Sequence, residues 1–419
     1  MDKIVDGKIF FKKTNIALNG LDYVNTVGDD TFFKKFAKKC YQGLIVCNKC
    51  NKNIRATNPD TGIRFISHKG INGVENSCKN FSYATKSVKL AREAIYFGEG
   101  THHEELKNEL LNFLKKDKRL KEMIGETFLF HKTEKYSTGA RKRRKPDISG
   151  QVYDKEMAIE LQLSYQLDID YFDRETFYET NNTFLMWFLY NVNRSDFTNA
   201  QKIIFYNNGE NAYVITEETR KKSKEENKLF FWCYYTSFEN GQVITQQKMI
   251  TFDDITFDTH KLKLFYTDTT IERSMYTRLK LQDKILKEMD GEDKYVNFSD
   301  FLLHEINSLS IHKIKKPYYS FITLLWTIFS LKKGKIIGYK FKNFIGLLNS
   351  RFEYDKEFGD LIIKAIIVYR RGEEIKKHEK FSPSLEKKIK NYTTEKKIGK
   401  IIQEVKYNTI IFALFPELQ

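Results

Sequence analysis

KPDISGQVYDKEMAIELQLS, residues Lys145 to Ser164, holds a Pro146-Asp147 pair and, thirteen residues after the aspartate, Glu160 in an apolar run. Along Ala158-Ile159-Glu160-Leu161-Gln162-Leu163 the apolar residues alternate with others. In a strand this sends Ile159, Leu161 and Leu163 to one face and Glu160 and Gln162 to the other. An aspartate at one strand end and a glutamate on the neighbouring strand hold a divalent cation with oxygen ligands. Cleavage of a phosphodiester needs charge neutralised on the scissile phosphate and a water made nucleophilic, and one or two Mg²⁺ ions supply both. Asp147 and Glu160 are then the candidate Mg²⁺ ligands. Gln162, at a position where nucleases often carry lysine, is a neutral amide that can orient water or phosphate but is no useful base at neutral pH. The alternative is a solvated strand face, which the apolar neighbours of Glu160 argue against.

Outward from this stretch lie further candidates. Arg141-Lys142-Arg143-Arg144-Lys145 runs directly into Pro146-Asp147. Five consecutive cations beside a metal site suit the phosphates that flank a scissile bond; a solvated basic loop or a localisation-like run reads the same way. Glu99, His103 and Lys107 stand at i, i+4 and i+8 and share one helical face, either as third contributors to the catalytic set or as a plain surface stripe. Arg174 and Tyr178 are one turn apart after the Glu160 strand, placed to reach the site or a phosphate, or else to form a surface ion pair and a core contact.

Four soft ligands are spaced C-x₂-C-x₁₇-H-x₉-C at Cys47, Cys50, His68 and Cys78. That set suits a tetrahedral, structural Zn²⁺, although Cys40 also lies near. Residues 41–80, rich in Asn, Gly and Lys, carry too small a core to stand alone, and a metal would supply what is missing. Cys233, inside Phe231-Trp232-Cys233-Tyr234, reads as core.

Coarse periodicities give the order of elements. A short strand is expected at Lys8–Phe11 and a helix at His102–Lys116, where Leu106, Leu110, Phe113 and Leu114 recur at helical spacing. Strands are expected at Glu126–His131, Val152–Tyr153 and Met157–Leu163. A helix over Tyr171–Glu179 and an apolar strand at Thr183–Leu189 follow. Lys202–Tyr206 and Ala212–Thr216, flanking Asn207-Asn208-Gly209, read as a hairpin, and residues 229–270 as short aromatic strands. Beyond Thr270 the pattern is helical. The domains expected are 1–90 with a zinc-finger-like module at about 40–80, an α/β domain at 91–270, and a basic, mainly helical domain at 271–419.

The chain has 419 residues, 41% of them hydrophobic and 15% aromatic, enough for two or three folded domains. Its net charge is +16, a field that favours polyanions such as nucleic acid. Residues 301–419 hold 23 Lys/Arg against 12 Asp/Glu, most of that surplus; a Lys- and Ile-rich composition throughout is the plainer account. Five cysteines fit metal binding in a reducing compartment better than a disulfide framework. The apolar run Phe321–Leu331 is too short to cross a bilayer and reads as a buried helix. With no secretory signal at the start, the expected setting is the cytoplasm, with no membrane partner. A nucleotide cofactor is not expected, since no phosphate-binding loop motif occurs.

Together these pieces resemble the competence-protein CoiA-like group of the PD-(D/E)xK nuclease superfamily. The matching residues are Cys47-x-x-Cys50, Glu99, His103, Lys107, Asp147, Ile159-Glu160-Leu161-Gln162-Leu163-Ser164, Arg174, Tyr178, the strand ending in Trp187-Phe188-Leu189-Tyr190-Asn191, and the expected hairpin Ile203–Ile215. The resemblance spans about residues 40–220. It implies a restriction-endonuclease-like α/β core, Mg²⁺- or Mn²⁺-dependent hydrolysis of DNA and a bacterial cytoplasmic setting, in processing of incoming DNA or in anti-phage defence. Gln162 departs from the superfamily lysine, though Glu-x-Gln is itself a pattern of the group. Nucleases of this superfamily often pair to cut two strands, so a homodimer is one expectation. Two alternatives stand beside the nuclease: a non-catalytic DNA-binding adaptor in recombination or defence, and a nuclease active only with a partner ATPase or helicase. Apolar stripes in the C-terminal helices, Phe321-Ile322-Leu324-Leu325-Ile328 among them, would dock such a partner or pack a core.

Overall fold

Met157, Ile159 and Leu161 alternate with Ala158, Glu160 and Gln162 along a strand that is buried on both faces, and two layers of helix build up around it. The computed structural model describes residues 8–58, 64–68, 101–136, 138–163, 168–239, 242–289, 298–309, 314, 319–338, 341–379, 383–401 and 407–419. Cys78, Glu99 and Ser164 lie outside the described residues. The chain divides into two compact units, Met1–Arg273 and Ser274–Gln419.

The first unit begins with β1 (Lys8–Phe11) and β2 (Ile16–Asn19), which pair with β3 (Ile45–Cys47) in a sheet ordered β2-β1-β3. The helix α1 (Gly20–Thr26) is capped by Asn19, whose side chain accepts from the backbone of Leu21 and Asp22. Helical turns at Asp29–Thr31, Phe32–Ala37 and Lys38–Tyr41 follow. They bury Phe32, Phe33 and Phe36. A second pair, β4 (Ile54–Thr57) and β5 (Phe65–His68), brings His68 opposite Ile54.

Next come α2 (Thr101–Leu114), β6 (Leu120–Gly125), β7 (Leu129–Lys135), β8 (Arg141–Arg144), β9 (Ile148–Val152) and β10 (Lys155–Gln162). They are followed by α3 (Asp168–Thr180), β11 (Thr183–Tyr190), α4 (Asn199–Asn207), β12 (Asn211–Ile215) and α5 (Glu217–Glu226). The strands β13 (Phe230–Glu239), β14 (Gln242–Thr251), β15 (Thr256–Asp258) and β16 (Lys263–Phe265) complete the unit. Seven of these strands form one mixed sheet ordered β14-β13-β12-β11-β10-β9-β6. Its centre, β10-β11-β12, is parallel, and its flanks are antiparallel. The parallel centre explains the near-continuous apolar run of β11, whose two faces are both covered.

The two faces differ in what they bury. Met157, Ile159 and Leu161 join Phe184, Met186 and Phe188 and the α2 residues Leu106, Leu110 and Leu114 in one cluster, which also takes in Cys233. On the other face Ala158 packs with Phe177 and Tyr178 of α3, and Tyr171 of α3 lies 5.6 Å from the ring of Trp187. The same helix anchors the N-terminal segment: Tyr41 donates to Asp173 and stacks on Phe172 at 5.4 Å, and Lys38 pairs with Glu179 at 3.1 Å and Glu175 at 3.6 Å.

Several expected elements shift. Residues 202–206 form part of the helix α4 and not a strand, so there is no hairpin at Asn207-Asn208-Gly209. Thr198 and Gln201 close a capping box at the start of α4, and Gly209, at φ +63°, lies in the turn after its end. Of the strand expected at Glu126–His131 only residues 129–131 are strand, at the start of β7, which pairs with β8 outside the main sheet; β6 stops at Gly125, and residues 126–128 lie between the two. The strand expected at Val152–Tyr153 is β9, which ends at Val152. Its Ser149-Gly150-Gln151 segment hides the alternation, and Gly150 is needed there because a Cβ would meet the Lys121 backbone carbonyl oxygen at 2.9 Å. The aromatic strands after residue 229 are longer than expected, ten residues each in β13 and β14.

The helix α6 (Thr270–Met289) leads into the second unit, followed by α7 (Asp300–Ser308), α8 (Tyr319–Lys333), α9 (Phe344–Tyr354), α10 (Gly359–Val368), α11 (Gly372–Glu379), α12 (Ser384–Lys397) and α13 (Asn408–Leu414). Every residue from Phe321 to Leu331 in α8 is buried, the signature of a helix surrounded on all sides. Its partners in the core include Ile285, Leu348, Ile362 and Phe415, so the apolar stripe packs inside the unit. Among the described residues no helix is long and apolar enough to cross a membrane.

Candidate active site and metal group

Antiparallel pairing of Ile148 with Ile159 sets Asp147, one residue before β9, across from Glu160. Asp147 Oδ2 accepts from the backbone N–H of Leu161 at 2.6 Å, which ties the end of β9 to β10. Its Oδ1 lies 3.6 Å from His103 Nε2 of α2. One carboxylate therefore touches the α2 layer through His103 and the other strand through its backbone.

Glu160 is 3% exposed and sits on the α3 face. Its Oε1 accepts from the Tyr178 hydroxyl at 2.8 Å and pairs with Arg174 Nη1. Burial pushes the Glu160 carboxyl up to about 7, with Arg174 opposing and the nearby Asp147 charge adding to the rise. The Asp147 and Glu160 carboxylates thus sense one another across the strand pair. Tyr178 has no exposed surface, so its hydroxyl serves Glu160 and is not presented to a strand of DNA. Arg174 is likewise engaged on Glu160, one helical turn from Tyr178.

Gln162 lies two residues along the same face, 5% exposed, and among the described residues neither its amide N nor its amide O has a hydrogen-bond partner. The indole N–H of Trp187, 6% exposed, likewise has none among the described residues, and Trp187 is the residue aligned with Glu160 on β11. Leaving such groups dry costs roughly 1–3 kcal/mol each, so this pair of polar groups calls for water or a ligand.

Sequence reasoning did not include Glu126. It stands directly after β6, its N–H donating to the Asp147 carbonyl at 3.0 Å, at φ +54°. Its carboxylate binds Lys107 of α2 through one oxygen and Lys145 through the other. Lys107, 5% exposed, is thereby held at the rim of the site beside His103. A glutamate in Gly125-Glu126 at a strand end gives no periodic signal, which is why its role emerges only from the fold.

The run Arg141–Lys145 is the strand β8 and its exit, and not a loop. Lys142 pairs with Glu134 at 2.8 Å, and Lys145 with Glu126. Arg141, Arg143 and Arg144 have no ion pair among the described residues. Arg144 still acts electrostatically on Tyr178, which keeps it close to the Glu160 pocket.

The cysteines form a separate centre. Cys47 ends β3, Cys50 sits in the turn that follows, and His68 ends β5. The turn is closed by Asn51 N–H donating to the Cys47 carbonyl at 2.8 Å and Cys47 N–H donating to the Lys52 carbonyl at 3.0 Å, with Asn51 at φ +56°. Ligand atoms of Cys47, Cys50 and His68 all lie within 4.8 Å of one another, and Cys50 Sγ is 3.3 Å from His68 Nε2. Burial, and then the Lys52 charge, hold His68 below its ordinary value, which favours the neutral imidazole a metal requires. This group could hold a metal such as zinc. Cys40 is buried in the core and not part of the group, and burial pushes its thiol up. Cys233, with no exposed surface, is core as expected.

Metal analysis of protein purified without chelator should find about one zinc per chain, lost in the Cys47→Ser/Cys50→Ser variant; equal zinc in both would remove the site. Glu160 generates a second expectation. A carboxyl raised in the folded state favours folding while protonated, and that contribution is lost as pH climbs from 4.5 to about 7. In EDTA, wild type should therefore lose about 3 kcal/mol of stability relative to Glu160→Gln across that window. Parallel denaturation curves at each pH would overturn the assignment.

Comparison with known families gives two matches. Residues 88–270 match a family model described as a domain of unknown function (DUF6035). Residues 235–417 match another, described as a domain of unknown function (DUF7829). No curated protein and no solved structure matches the chain.

Proposed function

We propose that the chain is a metal-dependent DNA nuclease with a restriction-endonuclease-like, PD-(D/E)xK-type core, acting in DNA processing or anti-phage defence. The observation that carries this is the convergence of Asp147 and Glu160, on paired strands of a mixed sheet, with His103 against the first and two lysines at the rim.

The donor set fits Mg²⁺ or Mn²⁺. Hard cations take carboxylate oxygens, and Mg²⁺ is commonly held by one or two carboxylates with water and phosphate completing the shell. Asp147 and Glu160 would hold the ion, which when bound would supply charge to the phosphate and acidify a water. The protein's own groups do the rest. Tyr178 and Arg174 orient Glu160 and keep its charge tolerable in a buried place. The unpartnered Gln162 amide offers one donor group and one acceptor to an attacking water or a phosphate oxygen. His103 stands where it can take or give a proton beside Asp147. Lys107, Lys145 and the β8 arginines provide a positive approach for the substrate backbone. The Cys47/Cys50/His68 group would hold structural Zn²⁺, Cys78 supplying the fourth ligand, and would take no part in the chemistry.

A second reading has its own support. Glu160 is engaged by Arg174 and Tyr178, and Gln162 stands where a lysine is usual. Both features suit a DNA-binding adaptor, or a nuclease whose site opens only with a partner ATPase or helicase.

Incubation of plasmid and single-stranded DNA with Mg²⁺, Mn²⁺ or EDTA should give metal-dependent cutting by wild type, reduced to the EDTA background in Asp147→Ala and Glu160→Ala. Cutting that persists in both folded variants would sink the nuclease, and salt-sensitive binding without turnover would favour the adaptor. Gln162→Leu should raise unfolding stability by about 1 kcal/mol or more, since it removes an unpartnered buried amide, while lowering cleavage at least tenfold. Unchanged cleavage would take Gln162 out of the site.

A further inference from the structure

The β7–β8 ribbon stands outside the seven-stranded sheet, and its two faces have opposite character. One face is pinned. Leu129 packs on Ala158, Phe177 and Tyr178. His131, 1% exposed, contacts Thr180 Oγ1 at 2.9 Å and meets the Phe177 ring edge-on at 5.3 Å. The Lys132 N–H donates to Asn181 Oδ1 at 2.7 Å. The ribbon is therefore fixed to α3, the helix that holds Glu160.

The other face is open. Phe128 is 44% exposed and Phe130 49%, their ring centroids 6.5 Å apart. Phe130 is paired across the ribbon with Arg143, whose guanidinium stacks 4.4 Å above the Phe128 ring. Arg141, two residues from Arg143, shares its face. Packing gives no reason for two phenylalanines here, because neither reaches a core. Charge on the ribbon is one-sided: from Leu129 to Lys145 there are seven Lys/Arg and a single acidic residue, Glu134.

We propose that this face is a platform for single-stranded nucleic acid, with Phe128 and Phe130 stacking on unpaired bases and Arg141 and Arg143 holding the adjoining phosphates. The assignment rests on the reading of the chain as a protein that acts on DNA, and it names the form of the substrate. Exposed aromatic rings interleaved with cations are the means by which proteins hold unpaired strands, since every base has a face to stack. A duplex keeps those faces inside its own stack and would use the arginines alone. Pro146 and Asp147 follow β8 directly, so Arg143 and the carboxylate are separated by at most about 14 Å of extended chain. A strand lying on the platform is thus led to Asp147.

The test uses the full chain without chelator and without added Mg²⁺ or Mn²⁺, so that binding is read without cleavage and the knuckle is left intact. The probes are a fluorescent oligothymidylate of about twenty nucleotides, longer than typical single-strand footprints, its duplex counterpart and polyglutamate. Phe128→Leu/Phe130→Leu keeps the apolar bulk and removes the rings, and Arg141→Gln/Arg143→Gln removes the charges. The expected result is tighter binding of the single strand than of the duplex, lost at least tenfold in the phenylalanine variant with its thermal unfolding unchanged. The arginine variant should show a shallower salt dependence, by about 1.4 in the slope of log K against log salt. Single-strand binding unaffected by the phenylalanine variant overturns the platform. Equal or tighter binding of duplex overturns the choice of substrate form. Binding of polyglutamate that depends on the ribbon, with neither DNA bound, assigns the face to an acidic protein and overturns both. Platform binding without metal-dependent cutting upholds this inference against the nuclease chemistry. Cutting that is lost in Asp147→Ala but indifferent to the phenylalanine variant does the reverse.

Discussion

The hydrogen bond from the Leu161 N–H to Asp147 Oδ2 is the constraint on which the site depends. It closes the β9–β10 pair at the end where the chain leaves the sheet and locks a register in which Lys155 faces Val152 and Ile159 faces Ile148. A strand has a side-chain period of two, so a slip of one residue would exchange its faces. Glu160 and Gln162 would then enter the layer of Leu106, Leu110 and Met186, and Ile159 and Leu161 would meet Arg174 and Tyr178. The apolar pattern of β10 enforces the same register from the other side, because its large aliphatics fit only the α2 face.

Around that register the unit assembles an electrostatic arrangement in three steps. Glu160 is buried and would be neutral if left alone; Arg174 and Tyr178 make its charged form accessible. Asp147 sits at the edge of both layers and couples to Glu160 through space and to His103 by contact. Glu126 then ties Lys107 and Lys145 together, so that two cations border the carboxylates without neutralising them directly. A site of this kind has negative groups at its centre and positive ones at its rim, a pattern that accommodates a cation and a polyanion at once.

Much of this was legible in the sequence where periodicity is strong. The alternation of β10, the apolar run of β11 and the helical spacing of Leu106, Leu110 and Leu114 locate the sheet and its cover correctly. Glu160 and His103 lie on two of those elements, and Asp147 and the α3 residues Arg174 and Tyr178 are brought to them by the β9–β10 pairing and by the packing of α3 on the sheet. The failures have particular causes. Ile203, Ile204 and Phe205 form a consecutive apolar run, which suits a buried helix as well as a strand, and the Asn208-Gly209 pair that suggested a hairpin lies in the turn after that helix. Gly150 and its neighbours carry no alternation, and β9 is recognisable mainly by its partner. Glu126 has no pattern at all, being defined by a turn and two lysines that come from distant parts of the chain.

The helix α3 has two sets of tenants. Asp173 and Glu179 engage Tyr41 and Lys38 of the N-terminal segment, while Arg174 and Tyr178, alternating with them along the helix, clamp Glu160. Lys38 and Tyr41 belong to the last helical turn before β3, the strand that ends in Cys47. A single rigid rod thus joins the cysteine–histidine knuckle to the buried glutamate. Successive contacts thus run from the strand that carries Cys47, through Lys38 and Tyr41, to α3 and on to the carboxylate that Arg174 and Tyr178 hold.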